Sequence, residues 1–291
     1  MKKAIPHVDG LHDSVVKKFI APIHDILTNG VNDSKRVVFI CGKDKADKES
    51  YRYKISKILE QHAKYQLAYP EDLFEDLLEG QANNSLLSLE AQLAEAVDLI
   101  ILIPESPGSF AELGAFSMIK SLSAKMLVLR QGKYKSDKSF INHGPIRLVK
   151  SSKGKVMDLP NNFDLYNIDH FTPILNKIKS MVPHGRVSKP INNILLYNNH
   201  LLILIYLFDG LSILSIYRLF SLVLNKKLTN QEETGSRAAI HSLIKSRLID
   251  REDNKFILTQ KGFEEVQQRF YAIKKINDLR IQIMNAQMKN S

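Results

Sequence analysis

The chain has 291 residues, of which 44% are hydrophobic, and a formal net charge of +10. This length is typical of two domains, and the hydrophobic content is sufficient for a buried core in each. The lone cysteine, Cys41, excludes an internal disulfide. No apolar run of a signal peptide follows the first lysines. The longest apolar run, residues 201–208, falls short of the roughly 20 residues that span a membrane. We expect a cytoplasmic protein without membrane contact.

The positive charge is concentrated in the C-terminal part. Residues 186–291 contain 16 Lys and Arg against 9 Asp and Glu, whereas residues 1–185 contain 25 against 22. A basic excess of this kind is typical of a nucleic-acid partner, and a solvated basic surface is the alternative.

Apolar runs and helical periodicity alternate through the first half of the chain. An amphipathic helix over 15–27 precedes strands at 36–41, 65–69, 98–103 and 125–129, with helices at 49–62, 70–78, 85–96 and 109–121. The alternation predicts an α/β fold, a doubly wound, mostly parallel, Rossmann-like sheet with helices on both faces. Ligands of such folds bind beyond the carboxyl ends of the strands. The pattern weakens after residue 130, and residues 161–180 are expected to complete the domain.

The second half predicts a smaller, helical domain. Pro183, Gly185 and Pro190 indicate a linker over 183–193, between domains at 1–182 and 194–291. Helices are predicted at 200–208, 212–224 and 232–246, then a hairpin over 248–258 and a long helix over 263–288. This order is that of a winged helix-turn-helix domain. The apolar residues of the last helix are widely spaced, which favours packing on a partner or a second copy and hence a homo-oligomer.

The most informative segment is DLIILIPESPGSFAELGAF, residues 98–116. A buried strand and a small-residue turn are predicted to lead into a helix that carries Glu112 in its first turn. Gly108 would let a ligand approach the backbone, and the N–H groups of residues 109–111 would attract a phosphate or ribose hydroxyl. The helix dipole would keep Glu112 ionised, and such a carboxylate can attack an anomeric carbon. A plain capping role for Glu112 is the alternative. The combination of a buried strand, a small-residue turn, Glu112 and then Gly114, which permits close helix–sheet contact, favours chemistry.

This segment resembles the signature of the nucleoside 2-deoxyribosyltransferase-like superfamily. The resemblance implies that Glu112 is the nucleophile of N-glycosidic bond chemistry. It also implies substrate-binding residues in the loops at the strand ends: Gly42, Asp44, Ser106, Gly108, Ser109 and Asn142. The first of these loops, FICGKDK, departs from the aromatic residue and Gly-Pro pair common in the family, which leaves the departing base open.

Joined to a winged helix at this length, such a domain is similar to the effector proteins encoded with retrons. That similarity implies an anti-phage toxin that cleaves the N-glycosidic bond of a nucleotide. NAD is the expected substrate, and no cofactor is expected. The activity of the toxin is expected to be restrained by a reverse transcriptase with its branched RNA–DNA hybrid. Two other functions stay open: a nucleoside deoxyribosyltransferase, and a non-catalytic nucleotide-sensing regulator that binds DNA.

Other polar residues carry weaker predictions. Asp98 could orient a ribose hydroxyl or tune Glu112, although a turn or cap role is favoured, and Lys43 and Arg52 could hold a diphosphate. Basic residues of the third helix and hairpin are predicted to contact the nucleic-acid backbone, with protein contact as the alternative: Arg237, Lys245, Arg247, Arg251 and Lys255. Neither an HExxH motif nor a Cys/His cluster is present, so we expect no metal.

Overall fold

The computed structural model describes residues 7–8, 11–31, 35–69, 93–182 and 189–289. Their contacts define two compact units, an α/β unit within residues 34–187 and a helical unit formed by residues 1–33 together with 188–291. The N-terminal helix, assigned by sequence to the domain at 1–182, thus lies in the same unit as the C-terminal helices. Residues 183–188 of the predicted linker lie outside the described part.

The N-terminal segment belongs to the core of the helical unit. Strand β1 (His7–Val8) pairs antiparallel with β2 (Leu11–His12), and helix α1 follows over Asp13–Asn29. Val16, Ile23 and Leu27 of α1 are buried in the helical unit's core. The Asp13 carboxylate accepts a hydrogen bond of 2.9 Å from Nε of Arg218. The apolar residues anchor α1 to the C-terminal helices, as does the ion pair with Arg218, which lies 205 residues from Asp13 in the sequence.

The α/β unit contains five strands and six helices within its described residues. The strands are β3 (Arg36–Cys41), β4 (Tyr65–Ala68), β5 (Leu99–Leu102), β6 (Met126–Gln131) and β7 (Lys155–Leu159). The helices are α2 (Tyr51–Glu60), α3 (Pro107–Met118), α4 (Lys120–Ala124), α5 (Phe140–His143), α6 (Pro145–Ser151) and α7 (Ile168–Met181). The predicted helix at 70–78 and most of that at 85–96 lie outside the described residues, and Leu93–Ala96 are helical.

The strands form one parallel sheet in the order β4-β3-β5-β6-β7, which confirms the predicted α/β class. Alternate side chains of β3 point to opposite faces. Ile40 packs on one face with Ile55 of α2 and Ile178 of α7. Phe39 lies on the other face, with its ring centroid 6.5 Å from that of Phe116 in α3. Helices therefore cover both faces, which accounts for the unbroken apolar runs of the central strands.

Strand β7 was not predicted from the sequence. It pairs only with β6 and is mostly unburied, so its sequence KVMDL keeps two charged residues and lacks a continuous apolar run. The signal that could have located it is Gly154, just before the strand. A Cβ there would lie 2.3 Å from the carbonyl oxygen of Ser123, so the chain passes too close for any larger residue.

The C-terminal elements follow the predicted order of three helices and a hairpin. They are α8 (Tyr197–Phe208), α9 (Ile213–Leu224), α10 (Asn230–Lys245), β8 (Ile249–Glu252), β9 (Lys255–Leu258), α11 (Gln260–Arg269) and α12 (Ile273–Met288). The apolar run at 201–208 is the buried centre of this unit, since every residue from His200 to Phe208 in α8 is buried. No helix in the described ranges is both long and apolar enough to cross a bilayer.

The prediction of one long helix over 263–288 is wrong, because the chain breaks at 270–272 between α11 and α12. Phe270 pairs with Val31, and the N–H of Tyr271 donates a 2.7 Å hydrogen bond to the carbonyl oxygen of Gly30. Ala272 then takes a left-handed conformation, with φ of 53°. The spaced apolar residues of α12 pack in their own unit rather than on a partner: Ile276, Leu279 and Ile283. The spacing of these residues therefore gives no support for a homo-oligomer.

We expect the stability of the helical unit to depend on pH through His200. This side chain is fully buried, and burial lowers its pKa from the ordinary 6.5 to about 4. Between these values the unfolded chain binds a proton that the folded chain does not. The free energy of unfolding is therefore retained above pH 6.5 and falls by about 3 kcal/mol as the pH decreases towards 4. Denaturant unfolding across this pH range measures the loss.

The matched variants are His200→Gln and His241→Gln. The glutamine amide can replace the imidazole Nε2, which lies 3.1 Å from the carbonyl oxygen of Ile191, without taking up a proton in this range. His200→Gln should flatten the pH dependence, whereas His241→Gln, at an exposed position of α10, should leave it in place. An unchanged slope in His200→Gln would assign the pH dependence to other groups.

Candidate active site

The two loops singled out from the sequence meet at the switch point of the sheet. Strands β3 and β5 are neighbours, yet β4 lies beyond β3 on one side and β6 beyond β5 on the other. In open α/β sheets of this strand order, the divergence leaves a ligand-binding crevice outside the carboxyl ends. The N–H of Ile103 donates to the carbonyl oxygen of Cys41 at 2.9 Å, so the two strands end side by side.

Glu105, which the sequence analysis missed, joins these two loops. Its Oε1 accepts hydrogen bonds from the backbone N–H groups of Lys43 at 3.2 Å and Arg52 at 3.0 Å, and its Oε2 accepts one from Tyr51 at 3.0 Å. Tyr51 and Arg52 begin α2, so a carboxylate of the protein itself occupies the helix N-terminus, where a ligand phosphate would otherwise bind. The available signal was a charged residue in the turn that follows a buried strand.

The turn after β5 is a closed capping box. Ser106 caps α3 by accepting from the N–H of Ser109 at 3.3 Å, and Oγ of Ser109 accepts from the N–H of Ser106 at 2.9 Å. Oγ of Ser106 also donates to the carbonyl oxygen of Gly42 at 3.1 Å. Ser109 is almost completely buried. Both serines therefore fix the turn and tie it to the first loop, and their predicted contact with a substrate stays a prediction.

The helix begins two residues earlier than predicted, which changes the position of Glu112. Pro107 is the first helical residue, so Glu112 lies in the second turn, where the helix dipole acts weakly. The predicted free N–H groups are also engaged, since Ser109 donates to Oγ of Ser106 and Phe110 to the carbonyl oxygen of Ser106. The expectation of an open, electropositive helix start at residues 109–111 is therefore wrong.

Open space lies beside Glu112. Gly108 precedes it by four residues, so both lie on the same face of α3. A Cβ at Gly108 or at Gly114 would meet no heavy atom of the described residues within 4 Å. Gly114 thus makes no close contact with the sheet, contrary to the prediction. Glu112 itself is half-buried, on a helix whose surface beside it has room for a ligand.

The basic residues of the first loop are engaged within the protein. Nζ of Lys43 lies 2.6 Å from the carboxylate of Asp47, and this hydrogen bond raises the pKa of the lysine. Arg52 is buried, donates from Nη1 to the carbonyl oxygen of Lys43 at 2.9 Å, and stacks over the ring of Tyr69. These contacts do not support the prediction that Lys43 and Arg52 bind a diphosphate. Asp44 accepts from the N–H of Ala46 at 2.9 Å and shapes the same loop.

Gly42 is required by packing at the switch point. An added Cβ would lie 2.8 Å from Cβ of Arg52 and 3.0 Å from Oε1 of Glu105. Both neighbours are fixed, one by burial and the other by three hydrogen bonds, so a larger residue would displace the loop. The glycine therefore permits the close approach of the two loops, and its contact with a substrate stays a prediction.

Asn142 and Asp98 have contacts that explain them structurally. Oδ1 of Asn142 accepts from Nη1 of Arg130 at 2.7 Å, and its Nδ2 donates to the carbonyl oxygens of Tyr134 at 2.9 Å and Asp137 at 2.7 Å. Asp98 accepts from the N–H of Val37 at 2.8 Å, at the amino ends of the strands. Asp98 lies at the amino ends of the strands, opposite to the crevice. It is therefore not placed to orient a ribose hydroxyl or to tune Glu112, as was predicted.

We expect Asn142→Ala to destabilise the α/β unit rather than to affect substrate binding alone. The variant loses three hydrogen bonds that hold the loop after β6, at a cost of about 2 kcal/mol and a Tm lower by roughly 5 °C. Thermal unfolding measures the shift, with the exposed neighbour Lys138→Ala as the control. An unchanged Tm together with a raised KM would instead assign Asn142 to the substrate.

The basic residues predicted to contact nucleic acid lie in different local settings of the helical unit. Nε of Arg237 donates to the hydroxyl of Tyr217 at 2.8 Å. Arg251 lies opposite Phe256 in the hairpin, whereas Lys255 lies opposite Glu252 on the other face. Lys245 ends α10, and Arg247 follows it in a left-handed conformation with φ of 56°. Their predicted contact with nucleic acid stays a prediction.

The fold and site together define a class, an α/β protein with a carboxylate-bearing crevice at its switch point, joined to a helical unit with a hairpin. A family model described as the STM3845 retron effector protein matches residues 48–251. A protein of Escherichia coli named "Retron Ec86 putative ribosyltransferase/DNA-binding protein" is 37% identical over 273 residues, 86% of this chain and 85% of the relative. A protein of the same description from E. coli retron Ec73 is 35% identical over 120 residues, 40% of this chain and 38% of its own length. The chain belongs to the STM3845 family of retron effectors.

Proposed function

We propose that the chain is the toxin of an anti-phage retron system and that it hydrolyses NAD with Glu112 as the nucleophile. The observation that carries this proposal is the position of Glu112, beside Gly108 and open space on the helix that follows β5 at the switch point. The names of the two E. coli relatives include ribosyltransferase, which supports chemistry at a ribose.

The proposed reaction has two steps. A carboxylate oxygen of Glu112 attacks C1′ of the nicotinamide ribose, the C1′–N bond breaks, and its electron pair passes to the pyridinium ring, so that neutral nicotinamide leaves. Water then attacks C1′ of the ester formed on Glu112. This releases ADP-ribose and the free carboxylate, and the proton of the water passes to solvent.

The sequence around Glu112 favours a leaving group of this kind. Residues 108–116 contain no titratable side chain other than Glu112, so the helix offers no neighbouring general acid. A neutral purine or pyrimidine needs protonation as it leaves. The pyridinium of NAD already carries a positive charge and leaves as a neutral molecule, which suits a helix that offers no acid beside Glu112.

The helical unit is the regulatory part of the proposal. Its order of helices and hairpin suits a winged helix, with Leu211 pairing with Phe256 beside the hairpin. Membership of a retron effector family supports association with the other retron components. In our proposal the reverse transcriptase and its branched RNA–DNA hybrid hold the effector inactive, and loss of this complex during infection releases the NAD-cleaving activity.

The test is nicotinamide release from NAD by the purified chain, alone and after co-expression with the reverse transcriptase and its hybrid. The expected result is release by the free protein and suppression in the complex. Release of no base from NAD or from a panel of nucleosides, in any state, would overturn the enzymatic proposal. It would leave the nucleotide-sensing DNA-binding regulator, which the second half of the relatives' names favours.

A transferase is the second candidate, because the names of the two relatives refer to transfer rather than to hydrolysis. The same ester on Glu112 could pass its sugar to a second base in place of water. Incubating the chain with a deoxynucleoside and free adenine distinguishes the two, since a nucleoside deoxyribosyltransferase would form deoxyadenosine and a hydrolase would release only the free sugar and base.

A further inference from the structure

A groove of about 530 Å³ opens on the surface of the helical unit, between the start of α9, one face of α10 and the hairpin. Its main lining residues are Ile213, Leu214, Arg237, Ile240, Arg251 and Phe256. Leu214 is 75% exposed, although it is a large apolar side chain. A groove with an exposed leucine and two arginines is typical of a recognition surface.

The two faces of the hairpin differ in character. Arg251 and Phe256 are opposite each other in the register and share the face that lines the groove. Asp250, Glu252 and Lys255 belong to the other face by the same alternation. The groove thus receives an arginine and an aromatic ring from the hairpin, while Asp250 and Glu252 lie on the opposite face.

The charge of this region does not suit a nucleic-acid duplex. From Asn230 to Lys255, which includes α10 and the hairpin, there are five Lys and Arg and five Asp and Glu. The basic excess of the C-terminal part therefore arises entirely outside these two elements. Duplex binding depends on cations that neutralise successive phosphates. Protein interfaces instead favour arginine and aromatic residues around an apolar centre.

We infer that this groove binds a protein segment whose apolar side chains are flanked by carboxylates. The apolar side chains would cover Leu214 and Phe256, and the carboxylates would pair with Arg237 and Arg251. Arg237 already donates from Nε to Tyr217 and has Nη2 3.6 Å from Glu233, and Arg251 donates from Nε to the carbonyl oxygen of Asp253. Each guanidinium has five N–H donors, so each keeps further donors for a partner.

The inference rests on the proposed function for the identity of its first partner, the retron reverse transcriptase. The tagged effector is co-expressed with that enzyme and its hybrid, the complex is captured, and it is digested with DNase and RNase before elution. The retained reverse transcriptase is then quantified. The unsubstituted effector should keep its partner after digestion, because the groove holds protein directly.

Leu214→Lys is the discriminating variant, since it removes the apolar anchor and adds a cation. It should lower the retained reverse transcriptase at least tenfold, whereas a nucleic-acid contact would be kept or strengthened. Ile281→Lys is the matched control, because Ile281 is 56% exposed on α12 of the same unit. Neither variant should lower Tm by more than about 2 °C, as both side chains are exposed.

The outcomes separate the inference from the proposed function. Loss of the partner on digestion, or full retention by Leu214→Lys, would overturn the groove inference and leave the retron association standing. An effector that holds no reverse transcriptase before digestion would refute the proposed association and, with it, the inference. Nicotinamide release, measured on the same preparations, reports on Glu112 independently of either result.

Discussion

Replacing Glu112 with glutamine should lower nicotinamide release from NAD by about 10³-fold or more. The amide keeps the size of the side chain but has no anionic oxygen to form the ester at C1′, so the first step loses its nucleophile. Glu112 is half-buried on the second turn of α3, and an isosteric change there should cost less than about 1 kcal/mol of stability. A steady-state assay of nicotinamide, with Tm measured on the same samples, checks both expectations.

The matched control for this substitution is Glu49→Gln, in the same α/β unit. The carboxyl side chain of Glu49 is 91% exposed and pairs only loosely with Lys54, at 3.7 Å. It should keep full activity. Intact mass spectrometry after rapid quenching adds a second readout, because only a chain with Glu112 should show the added mass of an ADP-ribosyl group. Undiminished release by Glu112→Gln would remove this residue from the chemistry.

The sheet could be predicted because its signal is local. Arg36–Cys41 and the strand around Leu99–Leu102 are continuous apolar runs that end at turn residues, and both faces of the central strands are buried. Adjacency of their two loops followed from a general rule of parallel sheets. Strand β7 escaped because an edge strand needs no continuous apolar run. The end of the predicted strand at 125–129 was placed two residues early for a similar reason, since β6 runs on through Arg130 and Gln131.

Features that depend on distant residues could not be predicted. The break between α11 and α12 depends on Gly30 and Val31, which are close in space but far away in the sequence. The sequence predicts that the serine turn contacts a substrate, whereas in the structure its hydroxyl groups form the capping box of α3. The role of Glu105 could not be predicted because its partners, residues 43, 51 and 52, lie in the loop after β3 and at the start of α2, more than 50 residues earlier. The sequence located the crevice and its candidate nucleophile, Glu112, but not the hydrogen-bond network that shapes the crevice.

That network yields the second large prediction. Glu105→Ala should lower the stability of the α/β unit by about 4 kcal/mol and its Tm by roughly 10 °C, because three backbone N–H groups lose a charged acceptor at once. The loop after β3 and the start of α2 would then lose these three hydrogen bonds to the segment after β5. At a temperature where the variant stays folded, we expect KM for NAD to rise about tenfold and kcat to change less, since Glu105 positions the loop without touching the reacting carbon.

Two further variants distinguish this positioning role from simple packing. Glu105→Gln keeps one oxygen, which can accept from Lys43 and Arg52, but turns an N–H group towards the N–H of Tyr51, so about half of the stability should return relative to alanine. Glu49→Ala, at an exposed position two residues before Tyr51, should change neither Tm nor KM. If the Tm of Glu105→Ala equalled that of the unsubstituted chain, the three hydrogen bonds would contribute nothing to the stability of the α/β unit. If it lowered kcat as much as Glu112→Gln does, Glu105 would have to act on the reacting atoms themselves.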